Sequence, residues 1–415
     1  MQPSRSSTRF AFAMITSLFF MWGFVHNMDP ILIPHLKKSF SLNTLQSSLV
    51  DSAVFIAYFA MALPAGFILK KFGYRIGIIV GLCLFALGSF LFIPAANTQA
   101  YLFFLMALFI IACGLTILET AANPYASLLG DPATATQRLN FAQSFNGLAA
   151  TLAPIIGARV ILTEGYSEDA LSKMTDAARQ AALASEAASV KMPYLILGLI
   201  IVLIAVIFAL IKLPEIHEED HATPTKSILH TLRHFHLRNA VLAQFFYVGA
   251  QVCVFSFFIL FAVKASGMDR VKAADYLGWG CGMAFMVGRF AGTFFMRFIE
   301  PPKLLMIYAI INVLLCGVAI TTEGMLPVYS MIGIAFFMSI MFPTIFSLGI
   351  KELGADTELG SSLIIMSIVG GALLPPVLGI ISDRTGNIQQ GYIVALLCFA
   401  YVAWFGWKGH KVVRS

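Results

Sequence analysis

The sequence has 415 residues, 59% of them hydrophobic and 12% charged, with a mean hydropathy of +0.84 and a formal net charge of +6. Those values exclude a water-soluble globular domain, and because the basic residues are scattered among short polar segments, the surplus charge reads as membrane orientation and not as a nucleic-acid surface. The six cysteines, at 83, 113, 253, 281, 316 and 398, stand singly in apolar runs without CxxC spacing, so they read as small core hydrophobes and neither as disulfides nor as metal ligands.

Taken in chain order, the apolar runs predict twelve spans: 10–36, 46–70, 73–95, 99–129, 138–162 and 192–213, then 239–263, 273–298, 302–321, 326–350, 359–382 and 390–408. Arg5 and Arg9 precede the first run, which continues past Trp22 to Pro34 without an A-x-A-like cleavage site, so it is a spanning helix and not a removed signal peptide. Residues 214–238 are charged and histidine-rich, with Pro214 and Pro224, and cannot span. They predict a linker between an N-terminal bundle (1–213) and a C-terminal bundle (239–415), with an amphipathic helix around Ile228 to Leu237. The spacing of His217, His221, His230, His234 and His236 is irregular, which favours a solvated tract over a metal site.

With the N-terminus inside, sixteen Lys and Arg fall on inner segments and only six on short outer loops, so both termini are expected in the cytoplasm. Five ionisable residues fall inside predicted spans: Asp29, Asp51, Glu119, Arg159 and Arg289. Charges at membrane depth are costly and face cavities or partners, which makes these the functional shortlist.

On span one, His26, Asn27 and Asp29 stand beside Pro30, with Pro34 following, so the polar cluster sits at a local break where backbone carbonyls are freed. On span four, Thr116, Glu119 and Asn123 share one helical stripe within about 60° of the carboxyl, a stripe that suits a polar cavity better than lipid. Span five repeats Asn140, Gln143 and Asn146 every third residue, and span seven puts Gln244, Tyr247 and Gln251 on one arc. Amides and a phenol both donate and accept, which suits a neutral polyhydroxylated ligand, with Trp22, Trp279 and Phe342 as faces for a sugar ring. Each amide alone also fits interhelical hydrogen bonding.

The halves echo each other. Pro124 and Gly130 of span four match Pro343 and Gly349 of span ten, and Pro154 and Gly157 of span five match Pro376 and Gly379 of span eleven, each pair roughly 220 residues apart. Duplication of a six-helix unit places a ligand between the halves at mid-membrane, near helices interrupted by Gly or Pro.

The loop after span two, from Gly66 through Lys70 and Gly73 to Arg75, resembles the major facilitator pattern G-x-x-x-D-R-x-G-x-R, with Lys70 in the place of Asp. Further stretches carry a closer likeness: LETAANPY at 118–125, RLNFAQSFN at 138–146, LAQFFYVGAQ at 242–251 and FPTIFSLGIKELG at 342–354. Together they resemble the L-fucose and proton symporter family of the major facilitator superfamily. The resemblance implies an all-α integral membrane fold of twelve helices, in two six-helix bundles related by a pseudo-twofold axis. It also implies secondary transport of a neutral monosaccharide, L-fucose or a related hexose, by alternating access.

By the same resemblance Glu119 is the span-four carboxylate of sugar recognition and proton transfer, and Gln143 and Asn146 are sugar-contacting amides. The span-one carboxylate stands one position earlier than in the family, at Asp29, and Phe342 stands where relatives often carry Tyr. The full expectation places proton coupling on Glu119 and Asp29. It places sugar binding on Glu119, Asn123, Gln143, Asn146, Gln244, Tyr247, Gln251, Asn27, His26 and Phe342. No cofactor and no metal are expected, only a coupling ion, H⁺ or alternatively Na⁺. The partners are the sugar and the lipid bilayer, without nucleic acid, for a monomer in a bacterial inner membrane. No Walker-type loop, zinc motif or GxSxG occurs within a span, so the chain is not expected to be an enzyme. A membrane sugar sensor that does not transport is the alternative from another class.

Overall fold

The structure, a computed structural model, describes residues 5–26, 40, 44–98, 100–161, 174–188, 190–211 and 228–412. Among them every regular element is helical. The first half comprises α1 (Arg5–His26), α2 (Thr44–Thr98), α3 (Tyr101–Leu128), α4 (Ala135–Ile161), α5 (Asp176–Ala188) and α6 (Lys191–Leu210). The second comprises α7 (Phe235–Ser256), α8 (Phe258–Ser266), α9 (Met283–Phe295), α10 (Pro301–Thr321), α11 (Met325–Met338), α12 (Met341–Gly349), α13 (Thr357–Met366), α14 (Gly370–Thr385) and α15 (Ile393–Trp404).

Eight stretches among the described residues are long and apolar enough to cross a bilayer, and the first of them, Ala53–Thr98, has the length of two spans. Gly73, at φ 78 and ψ 169, divides it. That conformation is open only to glycine. A Cβ on Gly77 would lie 2.1 Å from the Leu69 side chain, so the two arms fold back on one another. α6 carries Leu199, Leu203 and Leu210 exposed along its length, the composition of a face turned to lipid.

Each half is assembled mainly from its own helices. α2 packs on α3 and α6, and α1 on α4, while α10 packs on α11 and α15, and α7 on α14 and α15. Where α2 and α3 meet, a Cβ on Gly114 would be 2.6 Å from the Gly81 carbonyl, so two glycines bring the backbones together. Between the halves, α4 packs on α9 and α12, and α13 on α2 and α3.

Spans of the second half are interrupted at several points, span seven between α7 and α8 at Phe257. Span eight runs from Arg270–Asp275 through a π-helical segment, Tyr276–Gly282, into α9, at the run Gly278-Trp279-Gly280-Cys281-Gly282. Span ten breaks between α11 and α12 at Ser339–Ile340, and span eleven narrows to a 3₁₀ turn at Ser367–Val369. The linker differs from expectation in one respect. The helix expected around Ile228 to Leu237 is a single turn, Ile228–Thr231, and His234, at φ −60 and ψ 110, is the extended residue from which α7 starts at Phe235. Helix α5, in the long connection after span five, was not expected from the sequence.

Candidate intramembrane polar site

The centre of the site is Glu119 on α3, 9% exposed, whose Oε1 accepts a 2.7 Å hydrogen bond from the Tyr58 hydroxyl on the first arm of α2. One turn on, Asn123 uses its Nδ2 to donate to the Glu119 main-chain carbonyl at 2.8 Å. That bond fixes the amide orientation, turning the Asn123 Oδ1 to accept from Gln143 Nε2 on α4 at 3.0 Å. Gln143 in turn meets the second half. Arg289 on α9 donates from Nη1 to the Gln143 carbonyl at 2.6 Å and to Gln143 Oε1 at 3.4 Å, and from Nε to the Ser339 carbonyl at 2.9 Å.

The result is one chain of polar contacts from Tyr58 to Ser339 that crosses from half to half. Arg289 is buried, lies 4.7 Å above the centroid of the Phe285 ring, and has carbonyl acceptors in place of a carboxylate among the described residues. A delocalised, planar guanidinium suits that arrangement, since it is weakly hydrated and its donors fan out in a fixed fork.

The other expected residues fall around this chain. Tyr247 on α7 is fully buried beside Arg289, with its ring edge-on to Phe342 at 6.4 Å. Gln244, one turn earlier, is fully buried, and among the described residues neither its Oε1 nor its Nε2 has a hydrogen-bond partner. An amide in that condition is costly unless a ligand or water satisfies it. Gln251 and Phe342 are half-buried. Asn146 packs on α1, where a Cβ on Gly23 would lie 2.8 Å from the Asn146 Cγ, so the two helices are in close contact at the amide.

Some expectations change. Thr116 returns its hydroxyl to the Ala112 carbonyl of its own helix at 2.7 Å and so offers no free donor beside Glu119. Asn140 donates to the Thr136 carbonyl of its own helix at 2.9 Å and across to Thr344 Oγ1 on α12 at 3.1 Å. Trp22 is buried against Phe19, while Trp279 is 68% exposed on the π-helical segment. Asn27 and Asp29 lie outside the described residues, as do the side chains of His26, Asp51 and Arg159. Sequence reasoning missed Tyr58, because a lone phenol in an apolar run carries no periodic signal. It placed Arg289 on the shortlist without a partner.

Two further contacts close the halves on the side that carries the linker. Thr136 and Ser347 share a 2.9 Å hydrogen bond between α4 and α12. Ser361 on α13 donates to the Thr120 carbonyl, next in sequence to Glu119, at 2.9 Å.

The model of the Major Facilitator Superfamily matches residues 10–357. The chain is 41% identical over 410 residues, 98% of its own length and 96% of the relative's, to the glucose/galactose transporter of Brucella abortus biovar 1 (strain 9-941). It is 42% identical over 399 residues, 94% of its length and 91% of the relative's, to the L-fucose-proton symporter of Escherichia coli (strain K12). A crystal structure of the major facilitator transporter FucP in the outward conformation superposes with a TM-score of 0.92 at 41% identity, covering 98% of this chain and all of that one.

Proposed function

The chain belongs to the major facilitator superfamily, and on that footing we propose that it is a secondary transporter that carries a neutral monosaccharide, L-fucose or a related hexose, across the membrane together with a proton. The observation that carries this reading is the buried Glu119 carboxyl, held by the Tyr58 phenol and joined through its backbone to the amides of Asn123 and Gln143. A carboxyl at membrane depth takes up and releases a proton, and amides beside it offer a sugar both donors and acceptors without offering a fixed charge.

In this reading Glu119, Asn123, Gln143 and Asn146 contact sugar from the first half, and Gln244, Tyr247, Gln251 and Phe342 from the second. His26 and Asn27 of the first predicted span extend the set, and Asp29 receives the proton on the outer side. Gln244 supports the two-half assignment, because its unpartnered amide is the kind of group a hydroxylated ligand satisfies. The two bundles, 1–213 and 239–415, move against each other about this site, with 214–238 as their link. The excess of Lys and Arg on the linker side supports both termini in the cytoplasm of a bacterial inner membrane. The protein works as a monomer with no cofactor beyond its coupling ion.

The test is uptake of a panel of radiolabelled monosaccharides into proteoliposomes under an imposed pH gradient, an imposed Na⁺ gradient, or neither. Accumulation that follows the pH gradient supports the proposal. Accumulation that follows Na⁺ alone would transfer the coupling role to an oxygen-lined site near Pro30, and sugar binding without any uptake would make the protein a sensor.

A further inference from the structure

Where the linker enters the second half, two imidazoles converge on one carboxylate. His234 Nε2 lies 3.4 Å and His230 Nδ1 lies 3.6 Å from the same oxygen, Oδ2 of Asp356. Asp356 is 3% exposed, and His230 Nδ1 is itself sequestered from solvent without a hydrogen-bond partner among the described residues. His230 and His234 stand four positions apart across the break between the Ile228–Thr231 turn and α7, so the interruption aims both rings at the residue immediately preceding α13. The chain reaches that point through Glu352 at φ 55 and Gly354 at φ 54, both in the left-handed region.

We propose that His230, His234 and Asp356 form a second proton site, separate from the sugar site, that reads the pH of the linker-side compartment and sets how firmly α13 closes against the first half. Imidazole changes charge between pH 5 and 8, so acid on that side turns two neutral rings into cations facing a buried carboxylate. Attraction then tethers α13 to the linker; loss of the protons leaves one long hydrogen bond from a neutral imidazole to the carboxylate.

What α13 does next gives the tether its effect. Ser361, one turn and a half beyond Asp356, makes the hydrogen bond to the Thr120 carbonyl, and at Gly66 a Cβ would meet Ser362 Oγ at 2.1 Å and the Glu358 carbonyl at 3.1 Å. Thus the helix anchored by Asp356 is the one seated on α2 and α3 beside Glu119. Acidification of the linker side holds that seat and slows opening there. For a transporter that brings protons in, this is feedback by its own product, an aspect that rests on the symport reading above.

Among the described residues, the titratable groups that flank the contact in sequence are Arg233 after the turn, Arg238 on α7, and Lys351 and Glu352 before α13, all exposed, with His236 and Glu358 buried. His236 is electrostatically coupled to His234, Lys351 and Glu352. The exposed four comprise three cations and one anion, which solvent screens, so the charge gained at His230 and His234 dominates at the buried carboxylate.

The test is hydrogen–deuterium exchange of the full-length chain in nanodiscs, without sugar, at about pH 6 and about pH 8 and corrected for intrinsic exchange rates. Protection of 357–366 is expected to fall roughly fivefold at the higher pH, the scale of a charged against a neutral hydrogen bond. The doubly substituted His230→Gln/His234→Gln protein, and separately Asp356→Asn, should lose that dependence. Protection independent of pH in the wild type would overturn the proposal, as would an unchanged dependence in the histidine variant. A dependence abolished by a metal chelator would also overturn it, in favour of a metal ion. Sugar counterflow at varied linker-side pH is the second arm, with wild type slowed by acid and the histidine variant not. Absence of counterflow at every pH would sink the transport reading alone, because the exchange measurement needs no sugar.

Discussion

The hydroxyl of Tyr58 and the carboxyl of Glu119 meet at 2.7 Å although 61 positions separate them in the chain. The contact joins the first arm of α2 to α3 at the point where α13 is seated on the Thr120 carbonyl. A proton gained or lost at Glu119 therefore acts at the junction of three helices from both halves. Substituting the carboxyl separates chemistry from motion: Glu119→Gln keeps the shape of the protonated group and cannot release a proton. Equilibrium sugar exchange across proteoliposomes should persist, while accumulation against a gradient is lost. Normal concentrative uptake by this variant would remove Glu119 from the coupling machinery.

Tyr58→Phe deletes the donor and leaves the ring, so packing is preserved while a buried acceptor loses a partner worth about 1–3 kcal/mol. Uphill accumulation should drop with insertion and yield unchanged. Tyr125→Phe is the control, since that phenol lies elsewhere on α3 against Tyr74. Equal effects of the two substitutions would show that Tyr58 is structural.

Amide truncations probe the sugar contacts. Gln143→Ala, Asn146→Ala, Gln244→Ala and Gln251→Ala should each weaken sugar binding about fivefold, the worth of one hydrogen bond near 1 kcal/mol. Gln244→Ala is the sharpest case, because its amide atoms have no partner to lose among the described residues. If calorimetric titration finds wild-type affinity in all four, the amides hold helices together and do nothing for sugar.

Arg289 ties the Gln143 carbonyl to the Ser339 carbonyl across the halves. Lysine offers one compact ammonium in place of a fork, so Arg289→Lys should fail to restore transport lost in Arg289→Ala. Counterflow rates of the two variants decide the matter; full rescue by lysine would reduce the residue to its charge.

Coupling has an energetic bound. An inward proton gains about 1.4 kcal/mol per pH unit and about 2.3 kcal/mol per 100 mV of inside-negative potential. One pH unit with 100 mV gives roughly 3.7 kcal/mol, enough for several-hundred-fold accumulation of a neutral sugar with one proton. Asp29→Asn should then retain sugar exchange and lose the response to an imposed pH gradient. Retention of that response would leave Glu119 as the sole coupling carboxyl.

The sequence alone determined the membrane class, the pairing of two halves through Pro124 with Pro343, and the polar stripe at Glu119 and Asn123. These follow from local rules: helix length against bilayer thickness, helical periodicity, and the cost of charge in hydrocarbon. Tertiary structure alone decided which groups answer that stripe. Thr116 shares its face yet bonds back within its own helix, whereas Tyr58, in a run with no polar pattern, supplies the donor. Periodicity fixes the direction of a side chain on its own helix but not the depth and rotation of the helix opposite, which packing sets. For the same reason Arg289 was visible as an anomalous charge while its acceptors, main-chain carbonyls at Gln143 and Ser339, were not, because every residue carries a carbonyl and only the fold exposes two of them to one guanidinium.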